Sequence, residues 1–398
     1  MPLTKIKEQL EASGCEVAVT DNNSISVTYE KNEKTIDIPP DWLTEIKSFN
    51  RSNQFEFETG KRKLVGPKSI EIGITRLSQE FYNRTDYEFT STRNRKVRIS
   101  KASKRFALHF FHSGEYQEFF EAILIGRFKS DREIQFSNLF WFPKTIEFSI
   151  PKKTDKSKLL GEGMPAVEAC LFKLAVEKGE CWDFSKKRKR RLFTFYEETE
   201  GEELNIPSAT YDENMLKYFK VAVSSQFPSQ SFLAFYHVLE YNFLSVSDES
   251  LEGKLKAHIN STSFHGDSEN LSKVISIVKK HGDASDETEM LIRVLRKYLD
   301  EDELIEFMQE LEEKADEKLY TKSHEVFGER FVVQAKKDHA IANVAKLLKH
   351  VRNSLVHSSD RYNREDCHVP LTDSENIVEN YLPLVRYLAE KVIYARSS

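Results

Sequence analysis

Hydrophobic periodicity switches once along this 398-residue chain. Up to about residue 200, apolar residues alternate in short runs; beyond it they recur every three or four positions. A period of two builds half-buried strands, and a period near 3.6 builds helices, so the chain has to carry two differently built domains. The expected fold class is a strand-rich α+β domain over 1–200, followed by an all-α helical bundle over 205–398. Hydrophobic residues are 39% and charged residues 31%, which suits packed cores and argues against global disorder.

In the first half, residues 3–13 fit a short helix, and EVAVTDNNSISVTYE (16–30) fits a hairpin around an Asp-Asn-Asn turn. Strand-like runs follow: QFEFE (54–58), SIEIGI (69–74), DYEFTST (86–92), RFALHFF (105–111) and TIEFSI (145–150). AVEACLFKLAVEKG (166–179) reads as a helix closed by Gly179. The basic run KKRKRR (186–191), then an acidic run with Gly201 and Pro207 nearby, marks a linker and a boundary near residue 200.

In the second half, SQSFLAFYHVLEYNF (229–243) gathers Phe232, Phe235, Tyr236, Leu239 and Phe243 on one face. Residues 289–319 are acidic and amphipathic. DHAIANVAKLLKHVRNSLVH (338–357) spaces Ile341, Val344, Leu348, Val351 and Leu355 as a seam that packs against another helix. The last helix is expected to start at a Thr372–Glu375 capping box and to kink at Pro383.

Charge is uneven. Residues 1–200 hold 35 Lys and Arg against 30 Asp and Glu, a net of +5; residues 201–398 hold 24 against 34, a net of −10. The first half is therefore the better candidate for touching phosphate. Within it, RNRKVRISKASKR (93–105) offers Arg93, Arg95, Lys96, Arg98, Lys101, Lys104 and Arg105 beside the aromatics of HFFHSGEYQEFF (109–120). Charge tracking a backbone next to rings that stack bases is a known way to grip RNA. An exposed strand edge followed by a buried strand would give the same pattern.

Cys15, Cys170, Cys181 and Cys367 are scattered with no CxxC pair, which argues against a zinc-finger or disulfide framework and fits a reducing cytoplasm. His237, His258, His265, His281, His350 and Cys367 show no metal-ligand spacing, so neither a metal nor a cofactor is expected. No apolar run is long enough for a bilayer, the N-terminus lacks the apolar core of a signal peptide, and no P-loop is present.

The chemistry-bearing stretch is Arg352-Asn353-Ser354-Leu355-Val356-His357. Arginine followed five positions later by histidine is a weak pattern by itself; Arg361 and His368 nearly repeat it in the next loop. Its context is more specific: the end of a long amphipathic helix, a polar loop, then a final helix. RNA can be cut without a metal when one group takes the 2′-hydroxyl proton and another steadies the phosphate charge. Histidine suits the first task because its ordinary pKa is about 6.5. Arginine suits the second because its fork holds two phosphate oxygens and keeps its charge. Five helical steps of about 100° set Arg352 and His357 about 140° apart, so one helix supplies only part of a site, while Asn353 shares a face with His357.

RNSLVH at this place resembles the HEPN superfamily (higher eukaryotes and prokaryotes nucleotide-binding), whose nucleases carry an R-x(4–6)-H motif, often with Asn after the Arg. FYHVLEYNF is similar to the first helix of such domains, with Glu240 at its polar edge. The resemblance covers about residues 205–398, departs from the family in a long acidic insert over roughly 246–330, and leaves residues 1–200 unrecognised. It implies a cytoplasmic, metal-independent endoribonuclease, cutting tRNA or other RNA to a 2′,3′-cyclic phosphate. It also implies a homodimer with a composite site, and a toxin or antiviral defence role with an antitoxin or sensor partner. Arg352, His357 and Asn353 would be catalytic, with Glu240 holding Arg352. The rival expectations are a non-catalytic dimerisation or scaffold module, and an RNA-binding regulator. The acidic insert could hold such an enzyme inactive by occupying a basic substrate path.

Overall fold

The computed structural model divides into two compact units, Met1–Lys189 and Arg190–Ser398. It describes the chain except residues 1–2, 21–22, 52–53, 78–85, 92–93, 117–132, 186–207, 284–285, 358–366 and 398. The basic run 186–191, the acidic run after it, Arg93, part of the Asp-Asn-Asn turn and Arg361 thus lie outside the described residues.

Unit 1 is strand-rich. Helix α1 (Thr4–Ala12) precedes an antiparallel meander of β1 (Glu16–Val19), β2 (Ser24–Tyr29) and β3 (Asn32–Asp37), then α2 (Pro40–Arg51). A seven-stranded sheet follows. It comprises β4 (Glu56–Glu58), β5 (Lys63–Val65), β6 (Ser69–Arg76), β7 (Tyr87–Thr90), β8 (Lys96–Lys101), β9 (Lys144–Ser149) and β10 (Trp182–Phe184). Its order is β4-β5-β6-β9-β8-β7, with β10 also on β6, and every pairing is antiparallel.

One expected strand is a helix. RFALHFF forms α3 (Lys104–Phe111), with Ser103 Oγ accepting from the Phe106 amide at 3.0 Å as N-cap. Phe106, Ala107, Leu108, Phe110 and Phe111 are all buried, so the run is apolar nearly all round and its period is uninformative. The rings of Phe110, Phe111 and Tyr116 are sealed in the core and cannot stack on bases. The cap is itself held: Glu71 on β6 accepts from the Ser103 amide at 2.7 Å and from Thr145 Oγ1 at 2.9 Å.

The helix expected over 166–179 begins ten residues earlier. Helix α4 (Lys156–Lys178) starts at Asp155, whose carboxylate accepts from the Ser157 amide at 2.9 Å, and ends at Gly179 with φ 69°. It runs through Pro165 because Leu159, Gly163, Val167, Leu171 and Leu174 share one buried face over the sheet. A Cβ at Gly163 would come within 2.7 Å of Ile70 and 2.8 Å of Phe148, so only glycine permits this approach.

Unit 2 is a helical bundle. Its helices are α5 (Glu213–Ser224), α6 (Pro228–Glu240), α7 (Phe243–Ile259), α8 (Ser268–Asp283), α9 (Glu287–Tyr298) and α10 (Glu301–Ala315). The last three are α11 (Ala340–Val356), α12 (Ser374–Glu379) and α13 (Leu382–Ala395). The all-α expectation needs one correction: β11 (His324–Val326) and β12 (Glu329–Phe331) form a hairpin. Its two-residue turn, Phe327 and Gly328, has φ 46° and 77°, and the turn is built on Phe327 burying its ring.

The acidic stretch 246–330 is not wholly outside the bundle. Leu291, Ile292, Val294 and Leu295 of α9, with Leu304, Met308 and Leu311 of α10, join the same core as α6, α11 and α13. The final helix is also two helices rather than one kinked helix. The chain breaks at Asn380–Tyr381, and Pro383 sits in the first turn of α13, where its missing N–H costs nothing. The expected capping box is absent. Glu375 instead accepts from the Ser229 amide at 3.0 Å and Oγ at 2.9 Å, capping α6 from another part of the chain.

Candidate functional site

Three helices of unit 2 converge on Arg352. The α11 seam buries Ile341, Val344, Leu348 and Val351, which leaves Arg352 at the edge of the packed face, its side chain one-quarter exposed. Helix α6 buries Phe232, Phe235, Tyr236 and Leu239, which puts His237 and Glu240 on its flank. Helix α9 begins beside both at Asp286 and Glu287.

The guanidinium is held from three sides. Its Nη2 donates to Glu240 Oε1 at 3.2 Å, its Nη1 donates to Asn353 Oδ1 at 3.1 Å, and its Nε lies 3.6 Å from Glu287 Oε1. The buried Tyr236 hydroxyl donates to the same Glu287 oxygen at 3.1 Å. His237 Nε2 lies 3.6 Å from the other oxygen of Glu240. One turn back on α11, Lys349 Nζ donates to Asp286 Oδ1 at 2.5 Å and Thr288 Oγ1 at 2.9 Å.

Electrostatics follow from this crowding. Burial pushes the Glu240 carboxyl above its usual range; Arg352 and His237 oppose this, and nearby Glu287 adds to it. Burial, reinforced by Glu287, also raises the Tyr236 hydroxyl well above its ordinary value. Asp286 is held below the usual carboxylate range by its hydrogen bond to Lys349.

His357 is the C-cap of α11 and leaves the helical conformation, with φ −110° and ψ 65°. Its amide donates to the Asn353 carbonyl at 2.8 Å, and its side chain is exposed. Asn353 Oδ1 faces Arg352. Within one chain the cluster therefore joins Arg352, Asn353 and Glu240, while His357 stands at the helix end.

The described basic residues of the 93–105 stretch are engaged. Arg95 pairs with Glu162 at 2.7 Å, Lys96 with Glu88 at 3.0 Å, Arg98 with Glu147 at 3.4 Å and Arg105 with Glu45 at 2.6 Å. Lys104 pairs with Asp41, and Lys101 lies 4.7 Å from the centre of the Phe142 ring. A phosphate backbone would have to compete with these carboxylates.

Among the described residues, no group of three His, Cys, Asp or Glu side chains could hold a metal ion, and no helix is long and apolar enough to cross a membrane. His350 is buried: its Nε2 donates to the Val326 carbonyl at 2.8 Å, tying α11 to the hairpin.

Sequence reasoning placed Tyr236 on the apolar face without its link to the site, and missed Asp286, Glu287 and Lys349. Lys349 was findable, being one helical turn before Arg352. Glu287 was not, because nothing in its neighbourhood indicates that the start of α9 meets α11. No family model, curated protein or solved structure matches the chain.

Proposed function

We propose that unit 2 is a metal-independent endoribonuclease of HEPN type, acting as a dimer with Arg352 and His357 as its central residues. The observation that carries this reading is the fixing of Arg352. Carboxylates from two other helices hold the guanidinium at a solvent-reachable edge, beside Asn353 and near the helix end that presents His357.

In the proposed reaction, His357 takes the proton from a ribose 2′-hydroxyl. The 2′-oxygen attacks the adjacent phosphorus in line, the 5′-oxygen leaves and is protonated, and the products are a 2′,3′-cyclic phosphate and a 5′-hydroxyl. Arg352 steadies the charge on the non-bridging oxygens. The separation of Arg352 and His357 around one helix is met by a second chain, whose motif completes the cleft. DNA lacks the 2′-hydroxyl and is not a substrate. A toxin or antiviral setting, with an antitoxin or sensor partner, rests on analogy with the family.

The test is incubation of the full chain with total tRNA and rRNA in EDTA, beside His357→Ala and Arg352→Ala. Cleavage by the unaltered protein alone, leaving 2′,3′-cyclic ends, is the expected result. Equal cleavage by all three defeats the reading.

One observation favours a second reading, a non-catalytic helical module. Arg352 already has two carboxylates and an amide oxygen around it, the surroundings of an arginine that ties helices together. On that reading His357→Ala changes nothing measurable.

A further inference from the structure

Lys349 and Arg352 are the two cations that α11 turns toward the start of α9, and each meets a carboxylate there. Asp286 and Thr288 hold Lys349; Glu287 approaches Arg352. These contacts are only partly buried. The side chains of Lys349 and Arg352 are 22% and 25% exposed, and that of Asp286 is 61% exposed. Such pairs are weak and exchangeable.

The helical positions give Lys349 a further meaning. At about 100° per residue, Lys349 points about 60° from Arg352 on one side, with Asn353 about 40° away on the other. The Cα of His357 continues the same ridge about 80° from Lys349. Lys349 and Asn353 therefore fill the arc between Arg352 and His357, which is otherwise too wide for one phosphate. A ridge of Arg, Lys, Asn and His suits successive phosphates of a single RNA strand.

We propose that Lys349 is a further phosphate-contacting residue of this site, and that the first turn of α9, through Asp286 and Glu287, is a built-in competitor that RNA must displace. The proposal rests on the ribonuclease reading for its substrate. The carboxylates occupy the donors that phosphate oxygens would take, so the acidic first turn of α9 lowers affinity until it yields.

The test uses the full chain and a single-stranded 2′-O-methyl RNA, which binds but cannot be cut by 2′-attack. Asp286→Asn with Glu287→Gln removes the competing charge with little change of shape. Asn is as good an N-cap as Asp, and Gln keeps an acceptor for Tyr236. This double variant binds the probe about tenfold more tightly than the unaltered protein. Adding Lys349→Met erases most of that gain and lowers the salt slope by about 0.7, the value for one phosphate contact on a single strand. Glu306→Gln with Glu310→Gln, the same charge change on the exposed side of α10, leaves affinity within about twofold.

The proposal is overturned if the double variant binds no better than the unaltered protein, including the case where neither binds. It is also overturned if the gain survives Lys349→Met or appears equally in the α10 control. Failure of the ribonuclease reading looks different. A Lys349-dependent gain with no cleavage of ordinary RNA keeps the gate and removes the enzyme. His357-dependent cleavage without that gain keeps the enzyme and removes the gate.

Discussion

Arg352 and Glu240 lie 112 residues apart in the chain and meet at 3.2 Å, with Glu287 completing a carboxylate pair around one guanidinium. The arrangement is a balance: the arginine offsets two acids that would otherwise repel each other. Its removal therefore has a pH signature as well as a cost.

Arg352→Ala should destabilise unit 2 by about 1–2 kcal/mol at pH 8, less than for a fully buried pair because the site is partly exposed. The penalty should shrink towards pH 5. Burial already raises the Glu240 carboxyl, so its stabilising contribution is present below the unfolded value and is lost as pH rises through the folded one. Without Arg352 that loss is larger, because the Glu240 carboxylate then lacks its cation and keeps the Glu287 side chain beside it. Urea titrations followed by far-ultraviolet circular dichroism at the two pH values measure it. A pH-independent penalty would show that the three groups are not coupled.

Glu312 has the opposite sign. It is almost fully buried, and its carboxylate accepts from the Tyr320 amide at 2.6 Å, the Thr321 amide at 2.7 Å and Thr321 Oγ1 at 2.7 Å. Burial pushes its carboxyl up, but the hydrogen bonds from Thr321 and Tyr320, with Lys318, hold it below the ordinary value. Its contribution is present above about pH 4.3, the unfolded value, and is lost as pH falls through the folded one. Glu312→Gln should cost about 1–3 kcal/mol at pH 7 and flatten the acid limb of stability against pH. Thermal melts across pH 3–7 decide it.

In unit 1, His109 and His112 pack around Phe49, with ring centroids 4.8 and 4.9 Å away. Burial pushes both down to about 4, helped by Arg105 and Lys5 for His109, and by Lys5 and His109 for His112. The unfolded chain takes up these protons near pH 6.5 and the folded one only near 4. Stability is therefore complete above pH 6.5 and declines as pH falls towards 4, by about 1–3 kcal/mol per histidine. All three tryptophans, Trp42, Trp141 and Trp182, lie in unit 1, so fluorescence follows this unit alone. His109→Gln with His112→Gln should flatten the decline; an unchanged slope would assign it elsewhere.

On the proposed ribonuclease reading, Lys96→Ala with Arg98→Ala should weaken RNA binding less than about threefold, since each residue already faces a carboxylate across the sheet. Fluorescence anisotropy with a labelled single-stranded RNA tests it. A loss above about tenfold would return the first-half basic stretch to the centre of recognition.

Legibility in the sequence followed the range of the forces involved. The alternation of SIEIGI and TIEFSI and the three-four spacing of α11 are legible because each element's own face has to be buried. RFALHFF misled because an element buried nearly all round carries no period, and α4 crossed Pro165 because its sheet contacts outweigh one lost hydrogen bond. Glu375 left its local cap for Ser229 by the same competition between near and distant partners.

At the site, the sequence by itself determined the residue types and their order on α11: Lys349, Arg352, Asn353 and His357 along one helix end. Their spacing follows from the rise and turn of any α-helix. Only the tertiary structure decided which charges surround them. The start of α9 reaches Arg352 and Lys349 because Leu291, Val294 and Leu295 must be buried against the other helices of the bundle. That burial is non-directional and acts between distant segments, so no local pattern announces it, yet it sets two carboxylates against two cations.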